Sequence, residues 1–170
     1  MRRLIAAMLL VLAMGQSRAQ GGTPPQADPM ASIAWLAGDW EAEPKGAAAN
    51  SSNTKVAYHF RPALNGKELS VEATFNGVGR FQGMIGYDPA RKSVAVWYLT
   101  TTGESTTGTM TAEDGYALFD VAVTSLEGKS THLQVRIVHV DADHYRWEIY
   151  ADPRGTGMAK LFETSYRRLK

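Results

Sequence analysis

From residue 38 onward the chain runs as short stretches of alternating apolar and polar residues, with turn signals between them. Turn chemistry stands at Asn65-Gly66, Asn76-Gly77-Val78-Gly79, Asp88-Pro89, Thr102-Gly103, Glu113-Asp114-Gly115, Glu127-Gly128, Asp141-Ala142-Asp143 and through residues 152–157. With a longer break at residues 44–53, these make nine connections and ten strands. Consecutive hairpins of this kind predict an all-β, ten-stranded antiparallel up-and-down barrel, because only closure removes exposed strand edges. A short helix over residues 30–36 precedes the first strand, which begins near Asp39. A barrel of ten strands is too wide for its own side chains to fill easily, so an interior cavity is expected.

Two hairpins fix their own register. Asn65-Gly66 is a strong two-residue turn signal, because a type I′ turn needs positive φ at both central positions. Pairing Leu64 with Lys67 sets Phe60 opposite Val71, Tyr58 opposite Ala73 and Val56 opposite Phe75. The other face pairs His59 with Glu72 and Arg61 with Ser70. A slip of one residue would destroy this sorting. In the second hairpin a three-residue loop, Asp141-Ala142-Asp143, pairs Val140 with His144. Ile137 then meets Trp147, Val135 meets Ile149 and Leu133 meets Ala151, while Arg136 meets Glu148 on the opposite face. A four-residue loop would set Val135 against Glu148, so the shorter loop is preferred.

Each hairpin thus has a dry face and a wet one. In water the dry face turns inward, since burial gains about 25 cal/mol per Å² of apolar surface. The candidate ligand contacts on that lining are Tyr58, Phe60, Val71, Phe75, Phe119, Val135, Tyr145 and Trp147. Val56, Leu69, Val121, Val123, Leu133, Ile137 and Ile149 complete it. An apolar lining with several aromatics suits a small hydrophobic or amphipathic guest. Residues 93–101 leave two registers open. Either Val94, Val96 and Tyr98 face inward, or Ala95, Trp97 and Leu99 do. Residues 104–111 are mostly Thr, Ser and Gly, a weakly specified strand.

The N-terminus reads as a targeting segment. Arg2 and Arg3 precede a short apolar run over residues 4–14, and Ser17-Arg18-Ala19 offers small residues for cleavage. Residues 1–19 are therefore expected to be a signal peptide, and the run is too short for a membrane span. Residues 20–29, with Gly-Gly and Pro-Pro, read as a flexible tether, and residues 30–170 as the barrel domain. Export to the periplasm or the medium follows as an expectation. There is no cysteine, which excludes a lipoprotein anchor, disulfides and thiolate chemistry. The whole chain has 18 basic and 17 acidic residues, and loss of the leader leaves a net charge of −2. With no basic run, neither nucleic acid nor an anionic membrane surface is an expected partner.

Trp35-Leu36-Ala37-Gly38-Asp39-Trp40 opens the domain. Gly38-Asp39-Trp40 resembles the Gly-x-Trp signature at the start of the first strand in lipocalin-like proteins of the calycin superfamily. The resemblance implies that Trp40 plugs the closed end of the barrel against a basic residue late in the last strand, here Arg167 or Arg168. The Trp-Leu-x-Gly-x-Trp opening and Gly86-Tyr87-Asp88 also resemble secreted bacterial lipocalin-like domains of unknown function, over residues 30–169. These motifs speak to fold rather than to function. Nitrobindin-like barrels are more distantly similar and bind haem through a histidine near the C-terminal end. The last expected strand here, residues 158–168, has no histidine, and no cofactor is assigned.

No catalytic residue or metal site is assigned either. His59 with Glu72, and Arg136 with Glu148, would be acid–base or site candidates if they faced a polar interior. Face sorting puts both outside, where such pairs contribute little. His139, Asp141, Asp143 and His144 crowd one hairpin tip, but Asp is favoured in turns and the two histidines fall on opposite faces. No Gly-x-Ser-x-Gly elbow occurs, and no helix follows Gly77-Val78-Gly79 to make a phosphate cradle. Three functions stay open: binding in the interior, an enzyme on the same barrel, or an envelope interaction protein with a dry core.

Overall fold

The computed structural model describes residues 28–43, 55–152 and 157–170. The expected leader, most of the tether, the 44–53 break and most of the 152–157 turn lie outside the described residues. The chain forms ten strands: β1 (Gly38–Glu43), β2 (Val56–Ala63), β3 (Glu68–Phe75), β4 (Val78–Asp88), β5 (Ser93–Thr100), β6 (Ser105–Glu113), β7 (Tyr116–Thr124), β8 (Ser130–His139), β9 (His144–Ala151) and β10 (Ala159–Arg168). Each pairs antiparallel with its neighbours in sequence, and β1 pairs with β10 to close the barrel. A 3₁₀ helix, Ala31–Leu36, precedes β1. Among the described residues no helix is long and apolar enough to cross a membrane.

Both hairpins take the register that their sequences specify. Every β2–β3 pair from Val56–Phe75 to Ala63–Glu68 matches the Asn65-Gly66 turn. Asn65 (φ 56°, ψ 39°) and Gly66 (φ 80°) form a type I′ turn, closed by the Lys67 N–H donating to the Leu64 carbonyl at 3.2 Å. Pairing stops one step earlier than the turn alone predicts, because Leu64 has itself left the strand at φ 48°. In the second hairpin Leu133 meets Ala151 and Ile137 meets Trp147. Its three-residue loop is closed by Asp141, whose carboxylate accepts from the Asp143 N–H at 2.8 Å.

The open register of β5 resolves with Val94, Val96 and Tyr98 inward, leaving Trp97 and Leu99 on the outer wall. Gly83 on β4 stands directly opposite Tyr98, and a Cβ there would overlap the Tyr98 ring and the β5 backbone. Gly108 on β6 likewise has no room for a Cβ beside Val121 of β7. Both are inward positions where the neighbouring strand comes too close for a side chain.

The closed end is an aromatic plug. Trp40 and Tyr145 are fully buried, with ring centroids 4.8 Å apart, and Tyr145 stacks on Tyr166 at 4.8 Å. The helix lies across this end and buries Ile33 and Leu36 in the same core. Its Trp35 stacks on His139 at 4.4 Å, tying the helix to the end of β8.

Candidate functional site

Away from the plug the barrel is hollow. A cavity of about 340 Å³ lies inside it, at the small end of the range for small-molecule sites. Its two sides differ in chemistry. Phe119, Val121, Val123, Leu133, Val135 and Ile149, from β7, β8 and β9, make an aliphatic wall with one phenyl ring. Tyr58, Phe81, Tyr98 and Tyr166, from β2, β4, β5 and β10, make an aromatic wall, with Trp147 of β9 against it. Phe75 and Phe162 also line the cavity yet are 37% and 52% exposed, so they mark where it reaches the surface. Among the described residues no charged side chain lines the cavity.

Two bulges shape the mouth. Leu161 is the extra residue in β10, between the pairs Lys160–Tyr150 and Phe162–Ile149. The bulge turns Phe162 inward and Lys160 outward, although the two are separated by an even number of positions. Outside, the Lys160 ammonium bonds Glu163 at 2.7 Å and lies 3.6 Å from Glu148. Arg80 is the corresponding extra residue in β4, and its guanidinium lies 5.9 Å from the Phe75 ring centroid.

Of the eight candidate contacts, Tyr58, Phe75, Phe119, Val135 and Trp147 line the cavity. Phe60, Val71 and Tyr145 also point inward but are buried in the packed core nearer the plug. Alternation distinguishes inside from outside but carries no information on depth along the barrel axis. The lining gains Phe81, Thr100, Thr106, Phe162 and Tyr166, which sequence reasoning did not select, and Tyr98, which it left open. Tyr166 had a usable signal. It alternates with Arg168, so a basic partner for Trp40 at 168 also brings 166 inside. Phe162 had none, because its orientation depends on the bulge.

The interior phenols are strongly perturbed. Burial pushes Tyr98 well above the ordinary phenol range. It does the same to Tyr58, Tyr145 and Tyr166; for Tyr58 and Tyr145 the neighbouring phenols add to it. The neighbouring Tyr166 adds to the rise of Tyr58, while Tyr58 partly offsets that of Tyr166. The Tyr145 hydroxyl is buried without a hydrogen-bond partner among the described residues.

The polar pairs stand on the outer wall. His59 and Glu72 are cross-strand neighbours, but the His59 Nδ1 meets Asp39 at 2.6 Å instead, and Arg61 bonds the same Asp39 oxygen. These bonds, from His59 first and Arg61 second, hold the Asp39 carboxyl below its usual range. Arg136 faces Glu148 across the ladder, yet its guanidinium lies over the rings of Tyr150 and Tyr116, at 4.6 and 5.4 Å. Glu148 accepts from the Arg146 Nε and the Tyr150 hydroxyl, both at 2.7 Å. Its carboxylate is 6% exposed because these long side chains cover it, not because it enters the barrel. Burial raises its pKa, but the Tyr150 and Arg146 bonds outweigh that and hold the carboxyl low. At the 141–143 tip His144 bonds Asp141 at 2.9 Å, while His139 stacks on Trp35.

The chain matches no protein-family model and no curated protein.

Proposed function

We propose that this is an exported, lipocalin-like β-barrel that binds a small hydrophobic or amphipathic molecule in its interior. One observation carries the reading: a cavity of about 340 Å³ inside a closed barrel, lined mainly by apolar and aromatic side chains, that reaches the surface between Phe75 and Phe162. An interior left hollow forgoes packing energy that filling it would supply. A barrel that selects for stability alone has no reason to keep such a space open at one end. The lipocalin-like assignment rests on barrel closure together with Gly38, Trp40 and the arginine stacked on that tryptophan. Export rests on the charged, apolar and small-residue pattern of residues 1–19.

Native mass spectrometry of the protein purified gently from its host's envelope fraction tests both parts. The expected species starts at Gln20 and carries a small molecule that denaturation releases. Trp147→Ala should weaken retention of that molecule while leaving the hairpin register unchanged. An intact N-terminus would sink the export reading. Unchanged retention in the variant would place the binding site elsewhere.

A further inference from the structure

The binding reading leaves the chemistry of the guest open, and the two walls of the cavity narrow it. Among the described residues sixteen side chains line the space and none is charged. A carboxylate or ammonium taken into it would lose its hydration with no counter-charge, at a cost that ordinary affinity does not cover. The guest is therefore uncharged at its inner end.

The aromatic wall supplies polar groups with unused capacity. Phe81 packs against both Tyr58 and Tyr98, with ring centroids 5.5 Å away in each case, so the two phenols flank one ring. Tyr58 meets Tyr166 edge to face at 5.2 Å. Tyr166 lines the cavity and its hydroxyl carries one proton to donate. The Tyr98 hydroxyl makes no hydrogen bond within the described residues, although burial dominates its environment. Tyr98 keeps some accessible surface despite that burial because it borders the cavity. Two phenols, from β5 and β10, thus border a space whose wall from β7 to β9 is aliphatic. A buried donor without an acceptor is unfavourable, and a guest that supplies the acceptor relieves that cost.

We propose that the cavity takes a neutral guest of about a dozen non-hydrogen atoms, at roughly 30 Å³ each, carrying a carbonyl or ether oxygen that accepts from a cavity phenol, Tyr98 first and Tyr166 as the alternative. Its apolar body lies along Phe119, Val121 and Val135. This inference rests on interior binding but adds a selection rule: neutral acceptors enter and carboxylates do not.

The test compares three probes of one shape on the purified protein at pH 8: 2-acetylnaphthalene, 2-ethylnaphthalene and 2-naphthoate. Affinities are measured by titration calorimetry for the unmodified protein, Tyr98→Phe and the double variant Tyr98→Phe/Tyr166→Phe. Phenylalanine keeps the rings and removes only the hydroxyls, and near-ultraviolet circular dichroism checks that the plug is intact. The expected result is a 3- to 10-fold loss of ketone affinity in Tyr98→Phe and a larger loss in the double variant. The hydrocarbon should change less than 2-fold, and the carboxylate should bind at least 10-fold more weakly than the ketone. Equal losses for ketone and hydrocarbon, or a carboxylate that binds as well as the ketone, would overturn the selection rule while leaving interior binding in place. Failure of both neutral probes to bind the unmodified protein would overturn the two readings together.

Discussion

The guanidinium of Arg168 lies 4.1 Å from the centroid of the Trp40 ring and joins the end of the last strand to the start of the first. Its nitrogens donate to the carbonyls of Ala37 at 2.7 Å, Trp35 at 2.9 Å and Ala142 at 3.0 Å. One side chain therefore gathers the helix, the first strand and the β8–β9 turn. Trp40 completes the joint by donating its indole N–H to the Leu36 carbonyl at 2.7 Å. Charge-assisted bonds contribute about 1.5–3 kcal/mol and a cation over an aromatic face about 0.5–2, with incomplete additivity. Arg168→Ala should destabilise the barrel by about 2–4 kcal/mol in urea unfolding. Arg168→Lys should recover less than half of that, because an ammonium cannot present three donors in one plane. Full recovery by lysine would mean that the charge alone matters.

Gly38 is the companion of that joint. Its φ is +134°, where side chains are rarely found, and a Cβ would overlap the Arg168 guanidinium. Gly38→Ala should therefore cost about 1–3 kcal/mol, from backbone strain and displacement of the arginine. In an Arg168→Ala background the same substitution should cost less, since only the strain remains. A double-mutant cycle measures the difference, and strict additivity would show that glycine is needed for its backbone alone.

The sequence was most legible where a turn and two faces agreed. Asn65-Gly66 set the β2–β3 register, and the sorting of Tyr58, Phe60 and Val71 from His59, Arg61 and Glu72 allowed no other. The resemblance of Gly38-Asp39-Trp40 to a lipocalin-like opening also located Trp40 at the closed end and limited its partner to Arg167 or Arg168. Legibility failed on β5, where Val94, Val96 and Tyr98 compete with Ala95, Trp97 and Leu99, and both sets are apolar. The structure resolves it through Gly83, whose missing side chain makes room for Tyr98. A glycine facing an aromatic across a ladder is a pairwise signal that no single-strand pattern contains. The cavity was legible as an expectation from strand number, but its depth was not. Phe60, Val71 and Tyr145 share the inward face with Tyr58 and Trp147, yet fall on the packed side of the plug.

Glu148 gives the outer wall an acid-sensitive element. Its folded pKa lies below its unfolded value, so its contribution is present above about pH 4.3 and is lost as pH falls through the folded value. Glu148→Gln keeps the shape but removes the charge that Arg146, Tyr150 and Lys160 address. At pH 7 it should cost about 1–3 kcal/mol. Between pH 5 and 3 the unmodified protein should lose more stability than the variant, so that the two converge in acid. Parallel pH profiles in urea unfolding would show that the carboxylate is not linked to folding.

The strongest pH dependence is expected at the alkaline end, and it comes from the interior. Tyr58, Tyr98, Tyr145 and Tyr166 are all pushed up by burial, against an ordinary phenol value near 10. Below pH 10 both states hold these protons and folding is unaffected. Above it the unfolded chain ionises while the folded one does not, so stability falls as pH rises toward the folded values. Four such groups remove roughly 5 kcal/mol for each pH unit. That is comparable to the whole stability of a domain this size, so the barrel should open within about one to three units above pH 10. Phenolate absorbance and far-ultraviolet circular dichroism, followed together, separate the outcomes. At most three of the seven tyrosines should ionise while the sheet signal holds, and the other four should ionise in one step as it collapses. Tyr98→Phe should shift that step upward in pH, because one fewer proton is released on unfolding. Gradual ionisation of all seven with the sheet signal intact would mean that water reaches the phenols through the open end, and that the cavity is wet.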